Sequence, residues 1–93
     1  MRLPAHEQVA LDHAVETLAA LGPRLPYPHQ SAVQGRQGLR ELRPRGGRSP
    51  WRALYERRGS AFVVAAVAPE AEVNPRGFDR AVRLARRRLE GSR

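Results

Sequence analysis

Three runs sit close together in the middle of this chain: "LRELRP" (39–44), "WRALYER" (51–57) and "AFVVAAVA" (61–68). Each has the length of a strand, the second and third carry aromatic or β-branched residues, and glycine, proline or serine stands at or near the ends of all three. The connections between them are too short for a parallel crossover, which needs a dozen residues or more. The runs must therefore pair antiparallel, as a three-stranded meander. "PRGGRSP" reads as a hairpin loop, and "RGS" around Gly59 as a tighter turn. "AFVVAAVA" is apolar at every position, the pattern of a strand buried on both faces. It is expected at the centre of the sheet or under helices.

Helical periodicity flanks these strands. In "AHEQVALDHAVETLAAL" (5–21), Val9, Leu11, Ala14, Val15, Leu18 and Leu21 recur at helical steps. Pro4 suits the entry turn, and Gly22–Pro23 is a stop signal. The proline-punctuated stretch that follows is long for a structureless connection and implies a short turn of helix, with Leu25 and Val33 plugging the core. Near the C-terminus, Asn74 is placed to cap a helix that has Pro75 at its first position and Gly91 near its end. Its apolar stripe is Phe78, Ala81, Val82, Ala85 and Leu89, with Arg76, Arg80, Arg83 and Arg87 on the opposite side. The expected fold is α+β: an N-terminal helix, a three-stranded antiparallel meander and a C-terminal helix, in one domain spanning 1–93.

Ninety-three residues support only a thin core, since a chain this short buries about 60–65% of its unfolded surface. Its formal charge is +8, and all 17 cations are arginine. The charge falls in two blocks, 36–58 and 76–93, separated by an apolar segment whose only charges are Glu70 and Glu72. Permanently charged, planar guanidiniums fork onto phosphate oxygens. So basic a chain points to an acidic partner, either nucleic acid or protein. The absence of cysteine excludes disulfides and thiolate metal sites. No stretch has the apolar core of a signal peptide or the roughly eighteen apolar residues of a membrane span, so a cytoplasmic location is expected.

On both of the first two strands charged residues are interleaved with apolar ones. Leu39, Glu41 and Arg43 alternate with Arg40 and Leu42; Trp51, Ala53 and Tyr55 alternate with Arg52, Leu54 and Glu56. That pattern sends at least one arginine into a partly enclosed concavity, where it must be paired or serve an anion. One reading is cross-strand ion pairs such as Arg52–Glu41, with the other charges solvated. The other is a sheet that binds phosphate. His6 and His13 lack zinc-site spacing, and their expected role is solvated or capping. Trp51 and Tyr55 could stack on bases, or pack under a helix. No phosphate-loop, nucleotide-fold or hydrolase-triad motif is present, and no cofactor or metal is expected.

The ordered set Leu18, Leu21, Gly22, Leu25, then Gly38, Leu39, Glu41, Leu42, Arg43, then Trp51, Arg52, Tyr55 resembles the RelE/ParE superfamily of type II toxin–antitoxin toxins, in its HigB-like, phage-derived branch. The resemblance covers about residues 15 to 90. It implies a cytoplasmic toxin held by a cognate antitoxin of helix-turn-helix type. It also implies a ribosome-dependent mRNA endoribonuclease in which a ribose 2′-OH attacks the adjacent phosphate. Arg43 and Arg52 match the arginines that would stabilise that phosphate. Arg40, Arg45, Arg48, Arg57 and Arg58 are expected to hold the RNA backbone. The chain departs from the pattern after the third strand, where "APEAEV" replaces the usual basic pair, and it has no histidine beyond His29 and no tyrosine beyond Tyr55. Glu70 or Glu72 is then the available base. The alternatives on the same fold are a non-catalytic module (a ParE-like topoisomerase inhibitor, or a degenerate toxin binding only RNA or its antitoxin) and a basic domain that completes a complex with an acidic protein.

Overall fold

In the computed structural model, which describes residues 3–92, the strands form one antiparallel sheet of four rather than three, in the order β1-β2-β3-β4. The three expected strands are β2 (Leu39–Leu42), β3 (Trp51–Arg58) and β4 (Ala61–Pro69). The additional strand, β1 (Gln30–Ala32), lies in the connection after the first helix and pairs Ser31 with Glu41. Three residues, Gln-Ser-Ala, carry no apolar alternation. What makes this segment a strand is the free edge of β2, to which the flanking backbone also bonds: Val33 N–H donates to Leu39 O at 3.0 Å, and Arg43 N–H to His29 O at 2.8 Å.

Helix α1 (Ala5–Leu21) and helix α2 (Pro75–Gly91) frame the sheet, and a 3₁₀ turn at Gly22–Arg24 follows α1. Each face of the sheet has its own apolar core. On one, Leu11 and Leu18 of α1 meet Leu25, Leu42, Ala53 and Tyr55. On the other, the α2 stripe of Phe78, Ala81, Val82, Ala85 and Leu89 packs on Leu39, Leu54, Ala66 and Ala68. This explains the mixed faces of the strands: both sides of the sheet are covered, so apolar residues belong on both. Leu25 and Val33 are buried as expected.

Two expectations need correction. β4 is an edge strand, not a central one. Helix α2 covers one of its faces, while Val64 and Val67 on the other are partly exposed. Alternation was hidden because a bulge opposite Leu54/Tyr55 puts the adjacent Ala65 and Ala66 in one core. On α1, Val9 lies in solvent at 68% exposure, and the buried position one turn from Leu11 is taken by Glu7, at 5%.

Helix α2 starts as its sequence dictates: the Asn74 side chain accepts a hydrogen bond from Gly77 N–H at 2.9 Å, with Pro75 at the first position. Among the described residues no helix is long and apolar enough to cross a membrane.

Candidate functional site

The register of β2 on β3 sets Glu41 opposite Leu54, so Glu41 and Arg52 emerge on the α2 side of the sheet, two positions apart along β3. Arg43, just past the end of β2, turns back toward the same carboxylate. Its Nε donates to Glu41 Oε1 at 2.8 Å, and Arg52 Nε reaches the same oxygen at 3.6 Å. The two arginines expected to act on phosphate therefore converge on one carboxylate. The cross-strand Arg52–Glu41 pair anticipated from the sequence is present.

Arg52 is almost wholly buried, at 6% exposure. A guanidinium can be so deeply placed only if its donors are met. Its Nη1 donates to Ser49 O at 2.6 Å and to Trp51 O at 2.9 Å, and its Nη2 to Glu70 Oε2 at 3.0 Å. Glu70 is held in place by its own backbone, whose N–H bonds to Pro50 O at 2.9 Å. Arg43 is half-buried; its Nη2 donates to Ser31 Oγ at 3.0 Å, and its guanidinium carbon lies 5.4 Å from the centre of the exposed Tyr27 ring.

Arg43 and Arg52 open together on a hollow of about 520 Å³ between β1, the β4–α2 connection and the first turns of α2. Phe78 and Ser31 also line it. Its charged lining is two arginines and four carboxylates: Glu41, Glu70, Glu72 and Asp79. The recess is therefore not basic. A phosphate entering it must displace a carboxylate from Arg52, and the carboxylate so released stays beside the phosphate.

The other expected RNA-binding arginines are scattered. Arg40 lies on the α1 side, half-buried, its Nε donating to Gln30 Oε1 at 2.6 Å. The same oxygen accepts from the Tyr55 hydroxyl at 3.2 Å. Burial raises the Tyr55 phenol above its ordinary 10.0, against a smaller lowering by Arg40. Tyr55 is thus a core residue, packed edge-on against Phe62 at 5.9 Å, and offers no face to a base. Arg57 is exposed and donates to Gly59 O. Arg58 pairs with Glu56 and caps the end of α2 through Leu89 O and Ser92. Arg45 and Arg48 belong to the turn between β2 and β3.

That turn shows what sequence reasoning missed. Arg45 adopts a left-handed backbone, φ 56°, followed by Gly46 at φ 64°. A non-glycine residue there costs roughly 1–2 kcal/mol, offset here by bonds to α1. Arg45 Nη1 donates to Glu7 Oε1 at 2.8 Å, Nη2 to His6 O at 3.2 Å, and the buried Ser49 hydroxyl to Glu7 Oε1 at 3.1 Å. The one available signal was an acid at a position where the helical stripe called for an apolar residue.

These features define a small α+β domain with paired guanidiniums at the rim of a sheet. The sequence profile of the family described as "Phage derived protein Gp49-like" matches residues 1–68, and the chain belongs to that family. It is a RelE-like, toxin-like family, associated with the toxins of toxin–antitoxin systems. The match includes Glu41, Arg43 and Arg52 and stops short of Glu70 and α2. No curated protein matches the chain, and no solved structure does.

Proposed function

We propose that this chain is the toxin of a type II toxin–antitoxin pair, neutralised by a cognate antitoxin, and that it cleaves messenger RNA on the ribosome. The observation that carries this reading is the convergence of Arg43 and Arg52 on Glu41 in a recess that also holds Glu70. In-line attack by a ribose 2′-oxygen on its 3′-phosphate builds negative charge on phosphorus-bound oxygens, and paired guanidiniums are suited to stabilise it. The incoming phosphate exchanges with Glu70 on the Arg52 fork. The freed carboxylate then takes the 2′-OH proton as the O2′–P bond forms. The P–O5′ bond breaks, and the 5′-oxygen collects a proton from solvent or from the Glu70 acid. The products are a 2′,3′-cyclic phosphate and a 5′-hydroxyl.

The experiment is translation of a defined message by purified ribosomes with the protein added. Cuts within codons carrying 2′,3′-cyclic phosphate ends support the reading, and their loss in Arg43→Ala and Arg52→Gln assigns the site. Intact message in the presence of a protein that stops translation would refute cleavage.

A second reading is favoured by the four carboxylates of the recess, which repel a polyanion, and by the lack of histidine and tyrosine among the described residues of its lining. On that reading the domain is a non-catalytic binder of RNA, of its antitoxin or of a topoisomerase. Growth arrest with intact messages, accompanied by DNA damage, would select the topoisomerase branch.

A further inference from the structure

A second hollow lies on the opposite side of the sheet, between α1 and the turn that joins β2 to β3, with a volume of about 480 Å³. Its charge is the reverse of the first. Arg43, Arg45 and Arg48 line it together with His13, Thr17 and His29, and among the described residues no carboxylate does. Ala14, Leu25 and Leu42 form its floor. The two imidazoles are exposed, and His29 packs against the turn: a Cβ built on Gly46 would stand 3.5 Å from its Cε1.

The arginines here are not all committed to the fold. Arg45 is anchored by Glu7 and His6 O. Arg48 uses only its Nε, which donates to Arg45 O at 3.1 Å. Among the described residues nothing bonds to its Nη1 or Nη2. Arg43 borders both hollows; its Nε and Nη2 are held by Glu41 and Ser31, which leaves its Nη1 for a ligand. The backbone strain at Arg45, the buried Glu7 that holds it and the free fork of Arg48 all concern this one turn. Strain of this kind persists only where the surroundings enforce it, and it clusters at ligand-holding segments.

We infer that this hollow is a binding site for a nucleotide of single-stranded RNA, with the base on the apolar floor between the two imidazoles and its phosphate on Arg48 and Arg43. The chemistry matches on three counts. A flat heterocycle stacks on imidazole rings and aliphatic surface. A phosphodiester takes the guanidinium fork. A strand bound here finds no carboxylate among the described lining residues, with Glu7 and Glu41 holding Arg45 and Arg43 from behind, whereas at the recess across the sheet four carboxylates line the wall. An acidic peptide would use the arginines but leave the apolar floor and the rings without a role. The inference does not depend on cleavage, because it concerns affinity alone.

The test uses a fluorescein-labelled 2′-O-methyl oligoribonucleotide, which has no nucleophile and cannot be cut, with binding followed by anisotropy. Ala14→Trp fills the hollow without changing its charge, and Arg48→Ala removes the free fork. Each is expected to weaken binding roughly tenfold, the equivalent of one lost stacked base or phosphate contact. Arg80→Ala, on the exposed side of α2, is expected to leave binding within about twofold. A 4-thiouridine strand irradiated on the wild-type protein should crosslink to peptides holding His13 or His29, a readout that needs no variant to fold. Crosslinks confined to α2, or unchanged binding by Ala14→Trp, overturn the inference. So does full displacement by polyglutamate at equal charge concentration, which would assign the hollow to an acidic protein.

Discussion

Arg52 Nη2 and Glu70 Oε2 lie 3.0 Å apart, joining the start of β3 to the residue just past β4. The pair closes the open end of the hairpin and at the same time occupies the guanidinium that the proposed chemistry requires. On the proposed chemistry Glu70 both restrains the site and supplies its base, and replacing it separates the two effects. Glu70→Gln is expected to tighten binding of an uncleavable RNA severalfold by lifting charge opposition. It is also expected to slow cleavage on the ribosome by about a hundredfold through loss of the base. Anisotropy and primer extension read the two quantities. Tighter binding with undiminished cleavage would remove Glu70 from the chemistry.

Removing Arg52 is also a structural insult. Arg52→Ala strands the buried Glu41 with Arg43 alone and leaves Ser49 O and Trp51 O without a donor. Urea unfolding is expected to show a loss of about 3–5 kcal/mol, the usual result of breaking a buried pair from one side. The double change Arg52→Met/Glu41→Leu, which removes both charges, should recover much of that loss. If the single variant is as stable as the wild type, the pair contributes nothing to the fold.

Gly77 is a helical glycine that should resist alanine. Alanine in a helix ordinarily gains about 1 kcal/mol over glycine. Here a Cβ would fall 2.7 Å from the Asn74 side chain and 2.8 Å from the Pro69 ring, displacing the cap itself. Gly77→Ala is therefore expected to destabilise by about 1–2 kcal/mol, the scale of a lost cap. Thermal unfolding decides the sign.

Glu7→Leu tests the anchor of the β2–β3 turn. The change suits the helix stripe but strips Arg45 and Ser49 of their acceptor. Hydrogen exchange at the amides of residues 45 to 51 is expected to quicken, with a stability loss of about 1–3 kcal/mol from the unsatisfied groups. Exchange rates equal to the wild type would show that the turn holds its left-handed residues unaided.

Tyr55 makes stability depend on alkaline pH. Burial raises its phenol above the ordinary 10.0, so the folded protein keeps the proton longer than the unfolded chain does. Its contribution is complete below pH 10 and is lost as pH rises through the higher folded value. The unfolding free energy should fall between pH 10 and the folded titration point, and Tyr55→Phe should flatten that part of the profile. An unchanged slope in the variant would place the effect elsewhere.

Helix α2 could be read from the sequence almost residue by residue, because its signals are local: Asn74–Pro75 begins it, and five apolar residues at helical spacing define its buried side. The β2–β3–β4 meander was legible for the same reason, in its short connections. β1 was not, because a three-residue strand takes its identity from the neighbour it pairs with. The edge position of β4 was concealed by its composition, since alanine and valine satisfy a covered face and tolerate an open one. In the site, the Arg52–Glu41 pair follows from strand alternation. The Arg45–Glu7 bond joins residues 38 apart in sequence, and no local pattern announces it. Glu70 was visible in "APEAEV", yet only the fold shows that it turns onto Arg52 while Glu72 stays exposed at the rim.

The sheet divides the interior into two apolar compartments that meet only through β-strand backbone, one belonging to α1 and the other to α2. It acts as a party wall. Volume changes in the α2 compartment, such as Ala81 or Ala85 exchanged for larger residues, are expected to disturb the packing around Leu11 and Leu18 less than that on their own side, and the reverse also holds. Natural drift or laboratory selection can thus remodel the rim that carries Glu70 and Asp79 apart from the opposite hollow, with His13 and Arg48, as long as Arg43, which borders both, is kept.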